Sequence, residues 1–535
     1  MFSLRCALAA TAASLALAAQ PAAAAKTLVY CSEASPEGFN SQFFTTNTTH
    51  DAASAQLMNR LVEFEVGTTN IVPGLATSWE ISPDGLNYTF HLRQGVKFHT
   101  TAKYKPTRDF NADDVLYSWY RMADPNHPFH KNSPGQTYAY FDDMGMGKIV
   151  EKLEKLDDTT VRFKLRQPEA PFLANMAMDF MSILSAEHAE KMKAAGTPEL
   201  IDREPVGTGP FALVSYQKDA VIRYKAHEQY WDGKPAIDNL IFAITPDASV
   251  RYAKIKAGEC HLMAFPKPAD LAQMKADPAI NLMTKEGLNV GYLALNTEKK
   301  PFDDKRVRQA INMAINKKAI LDTIYQGAGQ MAKNPIPPIM WGYNDRVKDY
   351  DYAVDKAKEL LAKAGLKDGF EMELWYLPVQ RPYNPDGKRM GELIQADLAK
   401  IGVRVKLVTY EWGEYRKRSK AGEHQAVMFG WSGDNGDPDN FFTPLLSCDA
   451  VKGGGNSARW CNKDFDDLIA KATRTADRKE RSKLYEKAQE IFKEEAPWVP
   501  IAHSVRFEPV RKEVKNYKMA AVPVSHFLSK VDIAK

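Results

Sequence analysis

Cysteine is scarce, at 5 in 535 residues, and past the first 25 residues no stretch of 18 apolar residues runs uninterrupted. The first scarcity excludes a disulfide-framework scaffold and the second a membrane-spanning helix. Charge of one sign is also missing: 71 basic against 67 acidic residues give a formal +4, far from the concentrated basicity that neutralises phosphates, so a nucleic-acid partner is not expected. Clustered C-x-x-C or Cys/His spacing is absent, which removes a structural zinc site. What is present is 44% hydrophobic and 26% charged residues, an ordinary folded profile, over a length that points to two to four compact units.

Residues 1–25 differ from the rest. Arg5 is their only charge, an Ala/Leu stretch follows, and Ala23 and Ala25 form an A-x-A cleavage site before Lys26, the pattern of a secretory signal. Cleavage leaves 510 residues with a charge of +3 and removes Cys6. Cys31, Cys260, Cys448 and Cys461 remain, an even number in an oxidising compartment, and two disulfides are expected. Of three connectivities, Cys448–Cys461 is favoured because it closes a short loop containing Gly453, Gly454 and Gly455, worth about 3 kcal/mol of unfolded-chain entropy. Cys31–Cys260 then follows, and it requires the chain to leave its first domain and return much later.

Residues 26–32 (KTLVYCS) read as a strand. Trp79 and Ile81, then Tyr88, Phe90 and Leu92, alternate around the turn sequence Ser82-Pro83-Asp84-Gly85 and predict a hairpin, with Trp79, Trp119 and Trp375 expected in the core. A helix is expected from Asn111, with Asp113 and Asp114 in its first turn and Val115, Leu116, Trp119 and Met122 on one face. Another starts at Asp304, carries Val307, Ile311, Ala314 and Ile315, and stops near Gly327. Residues 370–425 read as β-α-β: Phe370, Met372 and Leu374 alternate, Met390, Leu393, Ile394 and Leu398 share a helix face, and Val403, Val405 and Leu407 alternate again. A parallel sheet follows, with a further strand over residues 426–431.

Ligands of open α/β sheets bind beyond the carboxyl ends of the strands. Two loops fall there: residues 377–385 (LPVQRPYNP) with Arg381, and residues 432–440 (SGDNGDPDN) with Asp434. A zwitterionic dipeptide would offer a carboxylate to the two-pronged guanidinium and an ammonium to the aspartate. The two side chains could equally pair with each other or cap turns.

At this point the chain resembles the periplasmic solute-binding proteins that feed peptide ABC transporters, and within them the dipeptide type. The likeness rests on residues 27–40, the run 72–115 with PGLATSWEISPDGLNYTFHLRQGVKFH and NADDV, VGTGPF (206–211), ITPDASVRYAKI (244–255), GLNVGYLALN (287–296), KNPIPPIMWGYN (333–344), PVQRPYNP (378–385), GDNGDPDNFF (433–442) and FEPVRKEVK (507–515). The resemblance implies an α/β, two-lobed periplasmic binding-protein fold with a hinge and an extra α+β domain. Lobe I would be discontinuous, comprising 26–59, 208–286 and 505–535; the extra domain would be 60–207 and lobe II 287–504. The family's anchor for the peptide amino group falls on Asp434 and that for the carboxylate on Arg381, while Tyr383, Trp431, Gly433, Thr45, Thr46 and Asn47 match pocket positions. Relatives often carry glycine where this chain has Asn47. The expected protein is a periplasmic monomer without cofactor or metal, not an enzyme, with a dipeptide ligand and an inner-membrane ABC permease as partners. Haem or a short oligopeptide is the alternative cargo.

A secreted hydrolase is the rival of another class, and the motifs argue against it. Gly430-Trp431-Ser432-Gly433 lacks a spacer of the G-x-S-x-G elbow, and His227-Glu228 lacks the second histidine of a zinc peptidase. His127 and His130 bracket Pro128-Phe129 as in an exposed loop, and VGTGPF is no phosphate loop. Asp434, Asp437 and Asp439 fail the EF-hand spacing. Arg416, Lys417, Arg418 and Lys420, beside Glu411, Glu414 and Glu423, read as a solvated helix face.

Overall fold

The structure, a computed structural model, describes residues 25–133, 135–453, 455–522 and 526–534, so the export signal expected over residues 1–25 lies outside them apart from Ala25. Strand Thr27–Ser32 forms where β-branched and aromatic residues predict it and runs parallel to Asn239–Ile244, with Tyr30 opposite Phe242. Val221–Ala226 and Phe211–Gln217 extend this sheet antiparallel. In the other half, Glu371–Trp375 lies parallel to both Arg404–Val408 and Ala426–Ser432, joined by helix Gly387–Ala399, which is the expected β-α-β unit. Ala426–Ser432 is antiparallel to Asn289–Leu295.

One strand, Trp498–Arg511, joins the two halves. Residues 498–502 pair with Asn289–Leu295, and residues 505–511 pair with Ile280–Glu286. Between them a clamp forms: His503 Nδ1 lies 2.8 Å from the Asn289 carbonyl, and the Ser504 amide donates to Asn289 Oδ1 at 2.8 Å. The two crossings are thus tied side by side, which gives the two lobes a common pivot.

The extra domain is built on a four-stranded antiparallel sheet in the order Ala76–Ile81, Asn87–Leu92, Thr160–Leu165, Val150–Asp157. Helix Ala112–Ala123 covers it, capped by Asn111, whose side chain accepts from the Asp113 amide while Asp114 accepts from the Asn111 amide, a capping box. Trp119 and Trp375 are buried as expected. Trp79 is only half-buried, because the edge strand carrying it turns Thr77, Ser78, Glu80 and Ile81 to solvent.

The helix expected from Asp304 to Gly327 is interrupted. Lys305–Ala314 ends where Ile315 becomes extended (φ −87°, ψ 120°), and Asn316 then caps a new short helix, Lys317–Ile320. Apolar spacing continues across the break because both pieces pack on the same core, so periodicity alone does not reveal it. Both expected disulfides are present, with Cα–Cα distances of 5.8 Å for Cys31–Cys260 and 4.6 Å for Cys448–Cys461. The long one is explained by the sheet: Leu262–Met263 lies parallel against Tyr30 and Cys31, which brings Cys260 alongside.

Candidate functional site

A cavity of about 660 Å³ lies between the lobes. Residues of the first half (Thr45, Thr46, Asn47, Asp51, His526) and the second (Arg381, Tyr383, Trp412, Trp431, Asp434) share its lining, and Tyr140 of the extra domain joins them. Of the residues singled out from sequence, Gly433 alone is not on this wall. Its amide donates to the Leu288 carbonyl at 2.6 Å, and a Cβ there would meet the Phe441 ring at 2.7 Å. Its place in the site is therefore indirect, since it lets the acidic loop pack down on helix Asp439–Leu446.

Asp434 sits just past the carboxyl end of Ala426–Ser432, at the location the sheet rule indicates. Asn440, from helix Asp439–Leu446, fixes the loop: its Oδ1 accepts from the Asp434 amide and from Trp431 Nε1, both at 2.9 Å. The Asp434 side chain is buried, and Oδ2 has no hydrogen-bond partner. Burial pushes its carboxyl up to about 8, with Asp179 adding to the effect, while hydrogen bonds from Tyr140 and Asn440 oppose it. A buried carboxylate with one oxygen unanswered is a strong acceptor for a cation delivered without water.

Arg381 comes from the loop after Glu371–Trp375, as expected. A tight reciprocal turn shapes that loop: the Arg381 and Asn384 amides each donate to the other's carbonyl at 3.0 Å. Its guanidinium donates to the Gln380 carbonyl at 3.1 Å and stands 5.1 Å from the centre of the Trp412 ring. Neither the mutual ion pair with Asp434 nor any other forms for Arg381 among the described residues, so the first of the two alternatives raised by the sequence does not occur.

Tyr383 lies flat on the sheet because two glycines leave room for it. Gly291 and Gly430 are opposite each other in register; a Cβ on Gly430 would come 2.1 Å from the Tyr383 ring, and one on Gly291 would come 2.2 Å from the Tyr383 carbonyl. Tyr325 donates to that carbonyl at 2.6 Å and holds the loop down. Sequence reasoning missed this pair of glycines, Tyr325 and Tyr140, whose roles exist only once distant segments meet. It also placed Arg416 on a solvated face, whereas Arg416 is half-buried and lines the cavity; Lys420 is exposed as expected but stands at the cavity's edge.

The other motif residues are accounted for structurally. Asp437 makes a buried two-pronged pair with Arg481, 2.8 Å on each side, and Asp439 accepts from Thr443 at 2.5 Å. His130 Nδ1 faces the Arg121 carbonyl at 2.8 Å, and His127 Nδ1 accepts from the Phe129 amide. Among the described residues no helix is long and apolar enough to cross a membrane.

Known proteins place the chain. Residues 70–453 match the bacterial extracellular solute-binding proteins, family 5. The chain is 59% identical to the dipeptide-binding protein of Escherichia coli (strain K12) over 94% of each chain. It is 55% identical to heme-binding protein A of Haemophilus influenzae (strain ATCC 51907 / DSM 11121 / KW20 / Rd), over 92% of this chain and 89% of that one. Among solved structures it is similar to the dipeptide binding protein from Pseudoalteromonas sp. SM9913 in complex with Met-Leu, with a TM-score of 0.88 and 41% identity over 95% of this chain and 100% of that one. A two-lobed fold around a cavity with opposite charges on its wall, and a match across nearly the whole length, make this chain a member of the family 5 bacterial extracellular solute-binding proteins.

Proposed function

We propose that the protein is a periplasmic substrate-binding protein that captures dipeptides between its lobes and delivers them, unaltered, to an inner-membrane ABC permease. Residues 1–25 direct export and are cleaved off in the process, and the protein acts as a monomer without catalysis. The observation that carries the ligand class is a pair of groups in one cavity: the buried Asp434 carboxyl, whose Oδ2 has no partner, for the ammonium, and Arg381, which has no counter-ion among the described residues, for the carboxylate. Closing the lobes desolvates these charges, so a ligand lacking either end leaves a buried charge unpaired. Tolerance between the ends would come from water and backbone contacts. The partition into lobe I (26–59, 208–286, 505–535), extra domain (60–207) and lobe II (287–504) is supported by strand pairing, since strands of residues 27–32 and 211–263 pair among themselves, as do those of residues 289–295 and 371–432, and Trp498–Arg511 alone pairs with both sets.

Calorimetry with Ala-Ala, N-acetyl-Ala-Ala and Ala-Ala-amide tests the reading. One equivalent of Ala-Ala binds with no amino acid released, and each blocked analogue loses at least about a hundredfold in affinity. Equal binding of all three would overturn it. Haem is the second reading, favoured by the relative whose name carries it; a porphyrin absorption band copurifying with the exported protein would support that cargo instead.

A further inference from the structure

Helix Trp412–Lys420 brings Trp412, Arg416 and Lys420 to one face by their spacing of four, and all three line the cavity. Arg416 is half-buried and Lys420 is exposed at the cavity rim; of the rest of the basic run, Lys417 is exposed and Arg418 pairs with Glu423 at 2.6 Å. Arg416 stands 5.8 Å from the centre of the Trp412 ring, the same ring that Arg381 approaches to 5.1 Å. Both guanidiniums therefore stand close to one indole, and both fields also act on the Tyr383 hydroxyl.

Arg416 has no carboxylate within ion-pair distance among the described residues. Of the other acids on the cavity wall, Glu33 accepts from Thr48, Asp51 from His526 and Glu508 from Arg506, and the exposed Glu37 makes no ion pair with Arg416. Lys420, farther along, feels Asp142 of the extra domain. A simple dipeptide has one carboxylate, which one two-pronged guanidinium satisfies. On the side of the wall formed by Arg381, Arg416 and Lys420, there is thus more positive charge than such a ligand can match.

We infer that Arg416, with Lys420 beyond it, forms a second anionic subsite that selects dipeptides whose carboxyl-terminal residue has an acidic side chain. This rests on the dipeptide reading above. The geometry favours the second residue because its α-carboxylate and side-chain carboxylate lie only about 4 to 6 Å apart at ordinary bond lengths. Two guanidiniums close to one ring can hold such a pair, whereas an acidic group on the first residue begins nearer Asp434 and is repelled there.

The test measures Ala-Ala, Ala-Gln, Ala-Glu and Glu-Ala by calorimetry at pH 7 on the wild type and on Arg416→Gln. Ala-Glu should bind about tenfold more tightly than Ala-Gln, or about 1.4 kcal/mol, and Glu-Ala should show no such gain. In Arg416→Gln the Ala-Glu to Ala-Gln ratio should fall towards one, and in the wild type it should shrink with added salt. If Ala-Ala binds while Ala-Glu is no better than Ala-Gln, the subsite is overturned and the dipeptide reading stands. If no dipeptide binds, both fail. The wild-type ligand series and its salt dependence decide the matter even if Arg416→Gln does not fold.

Discussion

Replacing Asp434 by asparagine keeps the shape of the side chain and removes its charge, so it isolates what that charge does. In the wild type, burial raises the carboxyl from an ordinary 3.8 to about 8. At about 1.4 kcal/mol per unit, holding this group in place at pH 7 is unfavourable by roughly 4 kcal/mol relative to water. The sign follows from the direction of the shift: the penalty is absent below about pH 4, where the group is protonated in either state, and grows as pH rises towards 8. Ligand-free Asp434→Asn should therefore gain stability over the wild type at pH 8 and lose that advantage at pH 4, as read by calorimetric melting. Where the wild-type lobes open to relieve the penalty, the gain appears instead as a smaller radius of gyration of the ligand-free variant in X-ray scattering. Dipeptide binding moves the other way. The ligand ammonium would be buried without its counter-charge, at about 3–5 kcal/mol, so affinity drops by a hundredfold or more. Arg381→Gln should cost less, about 1.5–3 kcal/mol, because Arg381 is only half-buried and water can replace part of its contribution. A loss of less than tenfold for Asp434→Asn, or a pH-independent difference in stability and size, would refute the reasoning.

Gly430→Val should leave the melting temperature within a few degrees yet abolish dipeptide binding, because the new side chain occupies the space of the Tyr383 ring and lifts the loop that carries Arg381; intact binding would contradict this. Arg481→Met strands Asp437 in the interior and should lower stability by about 3–5 kcal/mol in denaturant titration, whereas breaking an exposed pair such as Lys463–Asp467 should leave the transition where it is. Burial works against the His526 imidazolium, but Asp51 and Glu508 outweigh it and raise its pKa to about 9. Its stabilisation is thus complete below about pH 6.5 and lost as pH rises through 9, which amide hydrogen exchange near residue 526 should report as faster opening at high pH.

The β-α-β unit at residues 370–408 and the hairpin at residues 76–92 were legible because their signals are local. Alternation, helical spacing and turn residues lie within a few positions of one another and need no distant partner. The disulfides were legible through arithmetic on four cysteines. Legibility failed where a local pattern is compatible with two outcomes. The apolar spacing after Asp304 fits one helix or two, and only the packing of Asn316, whose amide donates to Asp397 at 2.8 Å, decides for two. Charge near Arg416 fits a solvated face or a cavity wall, and the direction in which helix Trp412–Lys420 docks decides between them.

By itself the sequence determined the kind of fold, the strands after which the binding loops lie, and the two charged residues those loops carry, because backbone preference and residue chemistry are properties of short segments. Tertiary structure alone decided that Arg381 and Asp434 stay unpaired, that Tyr140 from the extra domain reaches Asp434, and that the Asp434 carboxyl is strongly perturbed. Desolvation is set by atoms contributed from hundreds of residues away, and no local pattern encodes how many of them will arrive.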